Sequence, residues 1–191
     1  MMNIIICPGI HEPELTKSFL SGSLDQFPAN LIDQKPVNIL IYPGSGVLTL
    51  SGFHILQFLC DRLGDQLKSP VIFISYSAGV VGAIVAASLW QLSGGNIKAF
   101  IAIDGWGVPL FGDFPIHRMS HNYFTHWSSS LLGSGQDNFY AEPAVDHLSM
   151  WSSPQMIQGC WVNQAMAASS PASNLGASEF LHLLLKRYEE K

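Results

Sequence analysis

Charge is what this 191-residue chain has least of: only 12% of its residues are Asp, Glu, Lys or Arg, against 48% hydrophobic ones. So little charge beside so much apolar side chain excludes an intrinsically disordered protein. The formal net charge is −5 and no long basic cluster occurs, which excludes a general nucleic-acid binder, whose footprint is clustered Lys and Arg. Cysteine is scarce too. Cys7, Cys60 and Cys160 are odd in number, widely spaced and without a CxxC pair, a pattern for a reducing compartment rather than a disulfide framework. Met1-Met2-Asn3 carries no basic segment before the first apolar run, so no secretory signal is expected and a cytoplasmic location is. Repeats, linkers and low-complexity tracts are missing, which predicts a single domain over residues 1–191.

One stretch, Val71 to Trp90, is free of charge over about twenty residues, the length of a membrane span. Ser75, Ser77, Gly79 and Gly82 interrupt it, and its first half is β-branched while its second is rich in alanine. That change of composition predicts a strand, a turn and a helix instead, and no transmembrane segment.

Apolar runs ended by Gly and Pro recur along the chain. Asn3 to Cys7, Val37 to Tyr42, Val71 to Ser75 and Ala99 to Ile103 read as buried strands. Helices are predicted around Leu15 to Leu20, over Ser51 to Leu67, Ala78 to Leu92 and Ser178 to Tyr188, with a loop running to Pro36. Gly107 to Ser120 reads as irregular, and Asn122 to Ser128 and Asn138 to Glu142 as short strands. Uncharged strands alternating with helices imply an α/β fold: a mostly parallel central sheet with helices on both faces, in three layers. Reactive groups in such folds gather beyond the carboxyl ends of the strands.

Ser75-Tyr76-Ser77-Ala78-Gly79 lies at one of those ends, between the strand at Val71 and the helix at Ala78. A strand that turns directly into a helix tolerates only small side chains two before and two after the residue at the apex, and Ser75 and Gly79 satisfy that. Ser77 is therefore the candidate nucleophile; the plainer alternative is a serine that only caps the helix. A serine hydroxyl needs a base, and the base needs an orienting carboxylate. Asp104 closes the strand Ile101-Ala102-Ile103, with Asp137, Glu142 and Asp146 as rivals nearer the histidine. His147, in Val145-Asp146-His147-Leu148, follows the last predicted strand and completes the order serine, acid, histidine. The amide of Ala78, at the helix start, and that of Ile10, made approachable by Gly9, are the candidate oxyanion donors, with His11 next in line. Gly9, His11 and Trp106 are the expected substrate-binding residues.

The pentapeptide at Ser77 and the stretch Ile101-Ala102-Ile103-Asp104-Gly105-Trp106-Gly107 resemble α/β-hydrolases, with serine in place of the first glycine of the usual Gly-x-Ser-x-Gly elbow. The resemblance implies a small member lacking the antiparallel strands that commonly precede the oxyanion strand. It implies a serine esterase acting on a small-molecule ester or acyl substrate, without cofactor. A lipase, thioesterase or acyltransferase using the same residues, or a silent binding module on the same fold, are the other readings it allows. Most members place the acid one strand later, which keeps Asp137 open. No metal is expected: His117, His121 and His126 have Arg118 where a zinc-protease motif would need Glu. Pro43-Gly44-Ser45-Gly46 fits neither a P-loop nor a dinucleotide fingerprint and is expected to line the crevice. Trp106, Phe111, Phe114, Tyr123, Phe124 and Trp127 suggest an apolar wall near the serine, while Trp151 and Trp161 are expected in the core.

Overall fold

In the computed structural model, which describes residues 1–24, 37–64, 66–163 and 173–189, the four apolar runs form one half of a single sheet. The described strands are β1 (Met2–Cys7), β2 (Val37–Ile41), β3 (Pro70–Tyr76), β4 (Asn96–Ile103), β5 (Ile116–Ser120), β6 (Asp137–Ala141), β7 (Gln158–Asn163) and β8 (Ser173–Gly176). They lie in the order β2-β1-β3-β4-β5-β6-β7-β8. Pairings from β2 through β6 are parallel, and β7 and β8 are antiparallel additions at the far edge. The expectation of a mostly parallel α/β fold holds.

Strand residues alternate between two buried layers, which is why these strands read as continuous apolar runs. Ile4, Ile6, Ile72, Ile74, Tyr76, Ile101 and Ile103 face one layer. That layer is completed by α1 (Pro13–Phe19), the short α5 (Ser149–Ser152) and α6 (Ala177–Glu189). Ile5, Cys7, Val71, Phe73, Phe100 and Ala102 face the other, filled from α2 (Gly52–Leu63) and α3 (Gly79–Leu92). No helix among the described residues is long and apolar enough to cross a membrane; Val71 to Trp90 is β3, a turn and α3.

Four points need correction. Gly107 to Ser120 is not irregular throughout, because its last five residues are β5. That strand escapes notice because His117 and Arg118 sit in it, both buried. Asn122 to Ser128 is not a strand but most of helix α4 (Tyr123–Ser130): the Asn122 side chain accepts from the Thr125 amide at 2.7 Å and starts the helix. The strands β7 and β8 after His147 had no expected counterpart. Helix α2 also stops at Leu63 rather than Leu67, at Gly64 with φ 53°. The loop expected up to Pro36 lies, over residues 25–36, outside the described residues.

At the start of α3 the sheet and helix meet without side chains between them. A Cβ on Gly79 would lie 2.3 Å from the Pro8 carbonyl oxygen and 2.5 Å from that of Cys7. Both obstacles are backbone and cannot rotate away. Gly79→Ala is expected to lower stability by about 1–3 kcal/mol, read as a lower urea midpoint with unchanged slope.

Candidate active site

The carboxyl ends of β1, β3, β4 and β5 deliver, side by side, Pro8-Gly9, Ser77, Asp104 and His121, and the chain beyond β6 brings back His147. The chain passes from β1 outward to β2 and then back across to β3, so Gly9 and Ser77 flank the point where strand order reverses. A Cβ on Gly9 would come within 3.0 Å of the Ser77 Cβ.

Two residues at these ends hold left-handed backbone although neither is glycine: Ser77 and Asp104, each with φ 51°. Such a conformation costs roughly 1–3 kcal/mol and is held by the sheet ladder extended one residue further. The Ser77 amide donates to Ile103 O at 2.9 Å and the Asp104 amide to Met119 O at 2.8 Å. Ser75, two residues before, is buried and donates to Ile101 O at 3.3 Å.

The side chains form a relay. His147 Nε2 is 3.0 Å from Ser77 Oγ, and His147 Nδ1 is 2.9 Å from Asp104 Oδ2. Burial by itself would raise the Asp104 pKa, but hydrogen bonds from His121 and His147 outweigh it and hold the carboxyl below its ordinary value. Asp104 is therefore ionised at neutral pH, and the histidine proton that faces it sits on Nδ1, leaving Nε2 as an acceptor toward Ser77.

The rivals to Asp104 lie elsewhere. Asp137 begins β6 instead of ending a strand, at the opposite edge of the sheet. It accepts from Trp161 Nε1 at 2.9 Å, from Asn163 Nδ2 and from Arg187. Glu142 is exposed and lies 3.7 Å from Cys160 Sγ. Asp146 precedes His147 and is exposed.

A column of rings steadies His147. The Tyr76 ring stacks on His147 at 5.0 Å and on Trp151 at 4.9 Å, and Trp151 stacks on Phe19 at 3.8 Å. The Tyr76 hydroxyl donates to the His147 carbonyl at 3.0 Å, and Trp151 Nε1 donates to Thr16 Oγ1 at 3.2 Å. Ring pairs of this kind contribute about 0.5–1.5 kcal/mol each beyond burial, so α1 and α5 fix the loop that carries His147. Trp151 is core, as expected, and Trp161 is partly buried against it.

Ser77, Ala78, Asp104, Trp106, His121 and His147, with Leu50, Val81 and Val108, line a cleft of about 430 Å³. Gly9, Ile10 and His11 line a separate cavity of about 550 Å³ together with Pro43-Gly44-Ser45-Gly46. Contrary to expectation, neither the oxyanion loop with Gly9 and His11 nor the Pro43 loop lines the cleft at Ser77, whereas Trp106 does. Ala78 caps α3, where backbone N–H groups have no intrahelical acceptor. Arg118 braces the outer wall: buried, it donates to the carbonyls of Gly133 (2.7 Å), Val108 (3.0 Å) and Leu132 (3.3 Å). Trp106 leans over the rim and donates to Ser128 Oγ on α4 at 3.0 Å.

Sequence reasoning missed His121. Its Nδ1 lies 3.0 Å from Asp104 Oδ2, its amide donates to Asp104 Oδ1 at 2.8 Å, and its carbonyl accepts from the Val145 amide at 3.0 Å. His121 therefore ties Asp104 to the chain that carries His147. The signal that could have found it is its place just after a strand, hidden because β5 went unread. His117 and His126 do not join it: His117 pairs with the Tyr188 hydroxyl at 2.8 Å, and His126 stacks on Tyr140. A scan against protein-family models and a search of curated proteins found no match to this chain.

The hydrogen bond to Asp104 raises the His121 pKa against the opposing effect of partial burial. A histidine whose pKa is higher folded than unfolded adds stability below about pH 6.5, and that share is lost as pH rises through the raised value. In EDTA-containing buffer, the stability gap between wild type and His121→Gln is expected to be wider at pH 5.5 than at pH 9. Urea titrations at the two values check it.

Proposed function

We propose that this protein is a serine hydrolase of the α/β-hydrolase type that cleaves carboxylic esters or thioesters through an acyl-enzyme. The observation that carries the reading is the continuous relay from Ser77 Oγ to His147 at 3.0 Å and from His147 to Asp104 at 2.9 Å, built on a left-handed serine between β3 and α3. A helix-capping serine needs neither the histidine nor the carboxylate.

The geometry suggests the following course. Ser77 Oγ attacks the acyl carbon while His147 Nε2 takes its proton, and Asp104 stabilises the imidazolium through Nδ1–H without itself accepting the proton. Charge that develops on the carbonyl oxygen is met by the Ala78 amide and by the Ile10 amide of the loop after β1. His147 then returns the proton to the departing alcohol or thiol oxygen or sulfur. Water, activated by the same nitrogen, releases the acid and restores Ser77. The apolar residues of the cleft, Leu50, Val81, Val108 and Trp106, suit a small acyl or alkyl group. No step requires a cofactor.

Ser77→Ala is expected to abolish turnover of p-nitrophenyl acetate and butyrate, a loss of at least about 10³-fold in kcat, and to abolish labelling by a fluorophosphonate. Labelling that survives in the variant would remove Ser77 as the nucleophile. A wild-type chain that neither turns over esters nor reacts with the probe would point to the silent binding module instead.

Asp104→Asn and Asp137→Asn separate the two candidate acids. The first is expected to reduce kcat by about 10³–10⁴-fold. The second is expected to cost about 1–3 kcal/mol of stability by unpairing buried donors, with kcat within about threefold of wild type. A reversed pattern of rates would transfer the acid role to Asp137.

A further inference from the structure

A serine relay needs one histidine on its acid, yet Asp104 has two. His147 Nδ1 and His121 Nδ1 approach the same oxygen, Oδ2, at 2.9 and 3.0 Å. They come from different directions, their rings 5.8 Å apart and at 78°. Asp104, His121 and His147 have ligand-capable atoms that all lie within 4.8 Å of one another. We propose that these three side chains bind a single divalent transition-metal ion of the Zn²⁺ class, and that the bound ion switches the serine relay off.

The distances suit such an ion. Metal–nitrogen and metal–oxygen bonds of about 2.0–2.2 Å place neighbouring ligand atoms about 2.9 Å apart in octahedral geometry and about 3.4 Å apart in tetrahedral geometry. The two nitrogen-to-oxygen separations match the octahedral spacing, but each Nδ1 is aimed at Oδ2, so both rings must turn to direct their Nδ1 lone pairs at a shared ion. Two imidazoles and one carboxylate select Zn²⁺, Co²⁺, Ni²⁺ or Cu²⁺ over Mg²⁺ or Ca²⁺, which favour oxygen donors. The carboxylate is also held in place from behind, since the His121 amide donates to its other oxygen at 2.8 Å. Beyond the three ligands, the ion's remaining positions open into the 430 Å³ cleft, where water can fill them.

Proton positions explain the switch. In the metal-free relay each ring turns Nδ1–H toward the Asp104 carboxylate. An ion takes the Nδ1 lone pair of each ring, so the one proton a metal-bound ring keeps is on Nε2, and any further proton is released to solvent. His147 Nε2 then carries a hydrogen toward Ser77 Oγ, 3.0 Å away, and can no longer accept the serine's proton. Its orienting carboxylate is meanwhile occupied by the metal. This off-switch rests on the serine-hydrolase reading; the ion site itself does not. It is also not the cluster suggested by sequence spacing, since of His117, His121 and His126 only His121 takes part.

The test uses the full chain, stripped with EDTA and freed of the chelator, titrated with Co²⁺ by visible absorption and with Zn²⁺ by calorimetry. Wild type and Ser77→Ala are expected to bind one ion per chain and to give a visible cobalt band. His121→Phe and Asp104→Asn are expected to bind Zn²⁺ at least about tenfold more weakly, while His54→Gln, at an exposed histidine on α2, binds as wild type does. Absence of the cobalt band in wild type, or equal zinc affinity in wild type and His121→Phe, overturns the site. Circular dichroism establishes that each variant is folded, and the Asp104 and His121 variants test the site by independent substitutions. Fluorophosphonate labelling of wild type is then expected to fall as Zn²⁺ fills the site and to return with EDTA; labelling that persists with the ion bound overturns the off-switch. If metal-free wild type is not labelled at all, the serine-hydrolase reading and its switch fail, and the titrations still decide the ion site.

Discussion

One buried carboxylate organises the carboxyl edge of this sheet. Asp104 directly follows β4 in a left-handed conformation. One oxygen takes the His121 amide; the other takes both histidine rings. Through these bonds the ends of β4 and β5 and the chain after β6 are drawn to one point. A carboxylate buried this deeply would be expensive to keep ionised without such donors. The need to satisfy it specifies the neighbourhood as strongly as apolar packing does.

Apolar packing supplies the other half. Tyr76 ends β3 and precedes Ser77, and its ring lies in the core. There it stacks between His147 and Trp151, and its hydroxyl holds the His147 carbonyl. The residue that an elbow motif leaves unspecified thereby links β3 to the loop of the base and, through Trp151 and Phe19, to α1. Position 76 is a structural choice as consequential as the small residues at 75 and 79.

Legibility in the sequence followed burial type. β1, β3 and β4 were readable because they are apolar on both faces, and α3 because its small residues alternate with branched ones. β5 was not, since Ile116-His117-Arg118-Met119-Ser120 contains polar and charged side chains that a buried strand normally excludes. Arg118 is tolerated because carbonyls from residues 108, 132 and 133 surround its guanidinium, and His117 because the Tyr188 hydroxyl meets it. Those partners are remote in sequence. Overlooking β5 then hid His121, the residue at its end, and made Asp137 look as if it belonged to the next strand along.

The sequence by itself determined the α/β class, the strand-turn-helix that presents Ser77, and the local order in which Asp104 and His147 follow it. Those features are written in neighbouring residues: apolar runs, small side chains around a turn, and an acid directly after a strand. Which carboxylate meets His147, that a second histidine shares the same oxygen, and that rings from α1 and α5 buttress His147 were decided by the tertiary structure alone. Each depends on hydrogen bonds and ring contacts between residues 17 to 135 positions apart. Such pairings are set by how the strands line up and where the returning chain docks, and no local pattern encodes them.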